Sequence, residues 1–95
     1  MILTIQIYSW KTDEEGKKVP KSYLLTGEEA TKKYKDELKK MNGRFGKGFK
    51  KGGIDADTEE KVSGWIFGAK GWSKVDKWLK ELKDPDLTVI KSFKD

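Results

Sequence analysis

Residues 62–82 read VSGWIFGAKGWSKVDKWLKEL, a stretch that predicts a strand followed at once by a helix. Trp65 and Phe67 alternate with Ile66 over the first part, as expected of a β-strand. The second part carries apolar residues at helical spacing, namely Val75, Trp78, Leu79 and Leu82. Residues 23–41, YLLTGEEATKKYKDELKKM, repeat the order of a strand, a glycine and a lysine-rich helix. The chain therefore contains two strand–helix units.

Three more extended segments surround these units. Residues 2–10 alternate polar and apolar side chains and pair, across a charged turn, with the strand that opens the first unit. Residues 43–49 and residues 87–93 follow the first and second helices and predict strands as well. The predicted order is β-β-α-β-β-α-β in a single α+β domain spanning residues 1–95.

Both helices carry signals for their ends. Thr26 and Glu29 have the spacing of a capping box before the first helix, and Asn42-Gly43 is a typical helix end. Ser73 is the predicted N-cap of the second helix. Without its first strand, the order matches the split β-α-β-β-α-β arrangement of ferredoxin-like domains. We therefore expect a ferredoxin-like sheet with two helices on one face.

The composition favours an anionic partner. The 95 residues include 21 Lys and Arg against 16 Asp and Glu, a net charge of +5, and the pI is about 9.3. This balance favours nucleic acid over a membrane surface, although a solvated lysine-rich surface gives the same totals. The apolar residues 1–10 are too short to span a bilayer. We expect a cytoplasmic protein, inside the host cell if its source is viral, with no membrane partner.

The same composition gives no support for an enzyme. The chain has no cysteine and no histidine, so thiolate chemistry and the commonest acid–base group are absent. The acidic segment 55–60 could supply oxygen ligands to Mg²⁺ or Ca²⁺, but it lacks the EF-hand pattern, and a solvated acidic loop is the preferred interpretation. We predict no catalytic residue, no metal site and no cofactor.

Residues 42–53, NGRFGKGFKKGG, combine glycines, positive charges and aromatic rings without an acidic residue. Glycines expose backbone N–H groups that anions use, and lysines neutralise phosphates. The segment lacks the Gly-Lys-Ser/Thr ending of a P-loop. The predicted nucleic-acid-binding residues of this segment are Arg44, Phe45, Lys47, Phe49, Lys50 and Lys51. The lysines of the first helix are interpreted as its solvated face.

The run SGWIFGAK at residues 63–70 resembles the aromatic strand of an RNA-recognition motif, and SYLLTG at residues 22–27 resembles its partner strand. The resemblance implies that Tyr23, Trp65 and Phe67 stack on unpaired bases from an open sheet face. Ser63 and Ile66 depart from the usual pattern. The alternative is that this strand is simply part of the core.

A second resemblance covers residues 21–82. The segment KDELKKMNGRF, then glycines and lysines, then GWIF and a lysine-rich helix, is similar to a short unit in proteins of large DNA viruses, phages and mobile elements. The matching residues are Leu38, Asn42, Gly43, Arg44, Phe45, Gly64, Trp65, Ile66 and Phe67. The resemblance implies a role in DNA transactions or counter-defence, with DNA favoured over RNA.

Three functions are open at this stage. The first is a small non-enzymatic nucleic-acid-binding protein of viral or mobile-element origin. The second is a protein-binding inhibitor or adaptor, such as a phage counter-defence protein acting on a host protein, because interface anchors are drawn from the same residue types. The acidic segment beside the basic one suits such a two-signed surface. The third is a sugar- or nucleotide-binding module.

Overall fold

Residues 1–93, which the computed structural model describes, form five strands and three helices. In chain order the elements are β1 (Ile2–Thr12), β2 (Lys18–Thr26), α1 (Glu28–Lys33), α2 (Lys35–Lys40), β3 (Arg44–Lys50), β4 (Lys61–Gly68), α3 (Ala69–Glu81) and β5 (Thr88–Ser92). The predicted α+β class is confirmed. No helix within residues 1–93 is long and apolar enough to cross a membrane.

The strands make one mixed sheet in the order β3-β4-β2-β1-β5. Neighbouring strands are antiparallel except β1 and β5, which are parallel. β2 and β4 lie side by side, with Leu24 opposite Ile66. The exact ferredoxin-like order is not confirmed, because β1 lies between β2 and β5. As a result, α3 carries the chain from β4 to β5 across two intervening strands.

A tight turn between β1 and β2 accounts for the position of β1. The Asp13 carboxylate accepts hydrogen bonds from the backbone N–H groups of Glu15 and Lys17 at 2.9 and 2.8 Å. Gly16 has a φ of 77°, a conformation that glycine adopts without strain. This turn pairs β1 with β2, so the second edge of β1 is left for β5.

The core lies between one face of the sheet and the helices. Its strand residues are Leu3, Ile5, Leu25, Trp65 and Phe67, and its helix residues are Ala30, Leu38 and Val75. Each of these residues is at most 9% exposed. Because side chains alternate along a strand, the face that carries Trp65 and Phe67 is the face that the helices cover.

Phe67 is the largest fully buried side chain of this core. A Cβ atom added to Gly43 would lie 2.5 Å from Cζ of Phe67, and one added to Gly71 would lie 3.2 Å from its Cδ2 atom. Both glycines therefore let backbone approach the ring closely. They bring the turn after α2 and the start of α3 down onto β4.

The opposite face of the sheet is partly covered by its own β3–β4 hairpin. A register shift between Gly46 and Phe49 bends β3, and a Cβ atom added to Gly46 would lie 2.8 Å from the Phe49 ring. The Phe49 ring meets Tyr8 edge-on at 5.4 Å. Leu24, on this same face, is fully buried. The bulge thus produces a second small apolar layer.

Neither predicted N-cap forms. Thr26 still belongs to β2, opposite Thr4 of β1, so the N-cap of α1 is Gly27, without a side-chain cap. The chain passes from β4 into α3 at Gly68, which places Ser73 inside the helix. The Ser73 hydroxyl donates to the Ala69 carbonyl at 3.3 Å. The first cap is lost because Thr26 is still a strand residue, and the second because α3 begins at Ala69, before Ser73.

The first predicted helix is divided in two at Tyr34, whose φ of −107° interrupts the helical backbone. The Tyr34 hydroxyl donates to the Asp84 carboxylate, and its ring meets Trp78 edge-on at 5.2 Å. Lys33 donates to the same carboxylate at 2.9 Å. Tyr34 and Lys33 therefore tie the helix junction to the segment between α3 and β5.

The Asp84 carboxylate is strongly stabilised in its charged form. Its side chain is only 8% exposed. Hydrogen bonds from Tyr34, Lys33 and the Asp86 backbone N–H lower the pKa of Asp84 from 3.8 to about 2. The hydrogen bonds from Tyr34 and Lys33 to Asp84 therefore depend on the ionised carboxylate.

The contact between Phe67 and Gly43 can be tested with a matched pair of substitutions. Gly43→Ala should reduce the free energy of unfolding by about 1–3 kcal/mol, because the new methyl group overlaps the buried ring. Gly48→Ala adds the same methyl group where no atom lies within 4 Å. It should change stability by less than about 0.5 kcal/mol in urea unfolding. Equal effects would show that Gly43 does not pack against Phe67.

The Asp84 connection predicts a specific acid sensitivity. A folded-state pKa below the unfolded value means that the stabilisation is complete above about pH 4 and is lost as the pH falls towards about 2. The melting temperature should therefore fall less steeply over this range in Asp84→Asn than in the wild type. Asp57→Asn, which alters an exposed carboxylate, is the control and should keep the wild-type slope. The same slope in Asp84→Asn would contradict the assignment.

Candidate nucleic-acid interface

A cleft of about 1130 Å³ opens between the first two helices and the β3–β4 edge of the sheet. Phe45 and Trp65 line it and lie directly opposite each other in the strand pairing, with ring centroids 5.6 Å apart. Trp65 is 9% exposed, whereas Phe45 is 53% exposed. A buried ring thus supports an exposed one. We call this site the Phe45 cleft.

Lysines from the helices and from β3 line the same cleft as these rings. The cleft is lined by Lys32, Lys35 and Lys39 from the helices and by Lys47 from β3. All four are exposed, and no carboxylate within residues 1–93 lies within 4.0 Å of their ammonium groups. Glu28 and Asp36 line the cleft as well. The cleft is therefore lined by four positive and two negative side chains, and this net positive charge favours an anionic ligand.

The turn after α2 determines which β3 side chains reach the cleft. Asn42 has a φ of 67°, and the Gly43 N–H donates to the Leu38 carbonyl at 3.0 Å, which closes the helix. β3 then starts at Arg44, and its side chains alternate between the two faces. Phe45 shares the face of Trp65, while Arg44, which pairs with Ile66, lies on the other face.

The predicted basic segment does not form a single site. Of its predicted residues, Phe45 and Lys47 line the cleft. Phe49 packs against Tyr8, and the backbone N–H of Lys50 donates to the Tyr8 hydroxyl at 3.3 Å. The Lys51 ammonium lies 3.6 Å from the Glu60 carboxylate. The bulge and the strand alternation separate residues that are neighbours in sequence.

The open stacking platform inferred from the RNA-recognition motif is not present in this fold. Tyr23, Trp65 and Phe67 lie on the face that the helices cover, and Phe67 is 0% exposed. A base can stack only on a ring with a free face. Phe67 therefore serves the core, and Trp65 reaches the surface only as the support of Phe45.

Tyr23 belongs to a separate aromatic cluster with Trp72 and Phe93. The Tyr23 and Trp72 rings stack with centroids 4.5 Å apart, and Phe93 meets both edge-on at 5.8 and 5.7 Å. Burial, and then the nearby Asp76 carboxylate, raise the pKa of Tyr23. The three rings pack against one another, and none of them lines the Phe45 cleft.

Sequence reasoning missed the helix lysines of the cleft. The sequence predicts a solvated face for Lys32, Lys35 and Lys39, yet their spacings of three and four place them on one side of the predicted helix. That spacing was a usable signal. It could not show that the exposed lysine stripe borders an aromatic ring from another element.

The acidic segment 55–60 lies away from the Phe45 cleft. Its start is fixed to β1, because the Ile54 N–H donates to the Tyr8 carbonyl at 2.7 Å. Asp55 lines a smaller cleft of about 400 Å³ with Tyr8 and Trp10. Residues 1–93 contain no group of three or more acidic side chains placed to hold a metal ion.

Comparison with known proteins adds no assignment: no family model, no curated protein and no solved structure is significantly similar to this chain.

Proposed function

We propose that this chain is a small non-enzymatic nucleic-acid-binding protein and that the Phe45 cleft is its contact surface. The observation that carries the proposal is a cleft lined by the half-exposed Phe45 ring and by four lysines without ion-pair partners within residues 1–93. Phosphates would contact the lysines, and a base would stack on Phe45. Lysine supplies charge, and an aromatic ring supplies a sequence-tolerant stacking surface.

The distribution of ion pairs supports this choice of surface. Lys33, Lys51, Lys80 and Lys91 each lie within 4.0 Å of a carboxylate. The cleft lysines do not, so a phosphate would not have to displace a carboxylate from them. Each phosphate contact releases condensed counterions, which makes such binding favourable at low salt. The overall charge of +5 would assist the approach of a polyanion.

The proposal includes a viral or mobile-element origin, with DNA favoured over RNA. Its support is the motif LKKMNGRF followed by GWIF, whose residues make contacts with one another in the fold. Gly43 packs against the Phe67 ring, and Phe45 meets Trp65. We also propose that the sheet is a ferredoxin-like one into which β1 is inserted. The order β3-β4-β2 within the sheet, which is the order expected of a ferredoxin-like sheet, supports this view.

A protein-binding inhibitor or adaptor is the second candidate. Glu28 and Asp36 lie within the lysine stripe, so the cleft presents both signs of charge. A surface that carries both positive and negative side chains beside an exposed aromatic ring could bind a complementary surface of a host protein. Phosphate binding needs the lysines alone, whereas a protein epitope would use the acids too. Neutralising the acids therefore separates the two candidates.

The lysine stripe gives the central test. Replacing Lys32, Lys35 and Lys39 together with Gln should weaken oligonucleotide binding. It should also reduce the slope of log K against log salt by about 2–3 units, because about 0.7–0.9 counterions are released per phosphate contact. Fluorescence anisotropy over about 50–200 mM salt measures both quantities.

A matched control uses α3. Replacing Lys70, Lys74 and Lys77 with Gln removes the same charge from exposed helical positions that do not line the cleft. This variant should keep most of the salt slope. Equal losses in the two triple variants would show that net charge matters and the cleft does not. Replacing Glu28 and Asp36 with Gln and Asn should strengthen oligonucleotide binding, because two negative charges leave the cleft, whereas weaker binding would contradict this contact surface.

A further inference from the structure

We infer that the Phe45 cleft takes a single strand with unpaired bases rather than a duplex; this inference rests on the proposed function. The observation is the position of the exposed ring. Phe45 lines the cleft against Trp65, and the lysines that line it come from the helices and from β3. A chain lying between the walls would direct its bases at the ring and its phosphates at the lysines.

The faces of paired bases are already stacked inside a duplex. An aromatic side chain stacks readily on an unpaired or extruded base, whereas in a duplex it must protrude as a wedge that unstacks a base step. Proteins that read duplex DNA insert a protruding helix or ribbon into a groove. The Phe45 cleft is concave and lies between the first two helices and the β3–β4 edge, and Phe45 is one of its lining residues. Its shape therefore opposes duplex binding and admits a flexible strand.

The size of the cleft agrees with a short segment of a single strand. Its volume of about 1130 Å³ slightly exceeds the range of about 300–1,000 Å³ typical of ligand pockets. The whole domain measures only 39 × 29 × 20 Å. A cleft on one side of so small a body can hold a few nucleotides, while a duplex would contact its rim.

The charged residues of the cleft predict little sequence discrimination. Lysine is a flexible point charge, whereas the planar guanidinium of arginine makes paired hydrogen bonds to guanine. Arg44 is the only arginine of the chain, and it lies on the opposite sheet face from Phe45. We therefore expect binding that depends on strandedness much more than on base sequence.

The test measures anisotropy of labelled oligonucleotides of one length and sequence with the full chain. The probes are a DNA single strand, the same strand in a duplex, the RNA single strand and an abasic DNA strand. The single strands should bind at least about tenfold tighter than the duplex. The abasic strand should bind about 5- to 100-fold more weakly than the intact one, the effect expected for loss of stacking. The DNA and RNA probes show which nucleic acid is preferred.

Variants at Phe45 identify the ring as the cause. Phe45→Ala and Phe45→Leu should both weaken single-strand binding by about 5- to 100-fold and leave the salt slope unchanged. Neither should alter binding of the abasic strand. Ile54→Ala truncates an apolar side chain of similar exposure, 51% against 53%, and should bind like the wild type. Circular dichroism and thermal unfolding check that each variant is folded.

The outcomes separate this inference from the proposed function. Lysine-dependent binding of the duplex that equals or exceeds single-strand binding would overturn the single-strand inference and leave the proposed function in place. Full binding by Phe45→Leu would also overturn it, because an apolar side chain without a ring would then suffice. Absence of binding to every oligonucleotide near physiological salt would overturn both and leave the protein-partner candidate.

Discussion

The ring of Phe67 lies where β4, α3 and the turn after α2 meet, and the position of each depends on how closely backbone approaches that ring. Gly43 and Gly71 allow the approach because they have no side chain to place against it. Close packing in a core leaves little tolerance for an added methyl group. The fold therefore depends on one buried ring and two glycines from separate parts of the chain.

The position of the Phe45 cleft follows from this packing. The turn at Asn42 and Gly43 ends α2 against Phe67, and β3 begins at the next residue. The start of β3 determines that Phe45, rather than Arg44, shares the face of Trp65. The cleft is then lined by helix lysines, by Lys47 of β3 and by the Phe45 and Trp65 rings. Core packing and the proposed binding surface are thus linked through a single turn.

Two groups of lysines in this chain have different surroundings. Lys33 helps to hold Asp84 in its charged form, together with the Tyr34 hydroxyl, in a largely enclosed site. Other ion pairs, such as that of Lys51 with Glu60, are exposed and contribute little to stability. The lysines of the Phe45 cleft lie beside an exposed ring, without a carboxylate of residues 1–93 in contact. Their charge is therefore free for a ligand.

Local sequence patterns determined the elements of this protein. Alternation and helical spacing identified the strands and the helical segments, because both depend on residues a few positions apart. The end of the first helix at Asn42 was also predictable, since the residue types there suit a left-handed turn. The two N-caps were not, because β2 includes Thr26 and α3 begins four residues before Ser73.

Only the tertiary structure decided which residues share a surface. Arg44 and Phe45 are neighbours in sequence, yet strand alternation sends them to opposite faces. Lys39 and Lys47 are separated by a turn, yet both line one cleft. The insertion of β1 between β2 and β5 likewise followed from which strand edges were free. A local pattern specifies how a segment folds, but the sides of a site come from long-range packing, which no single segment contains.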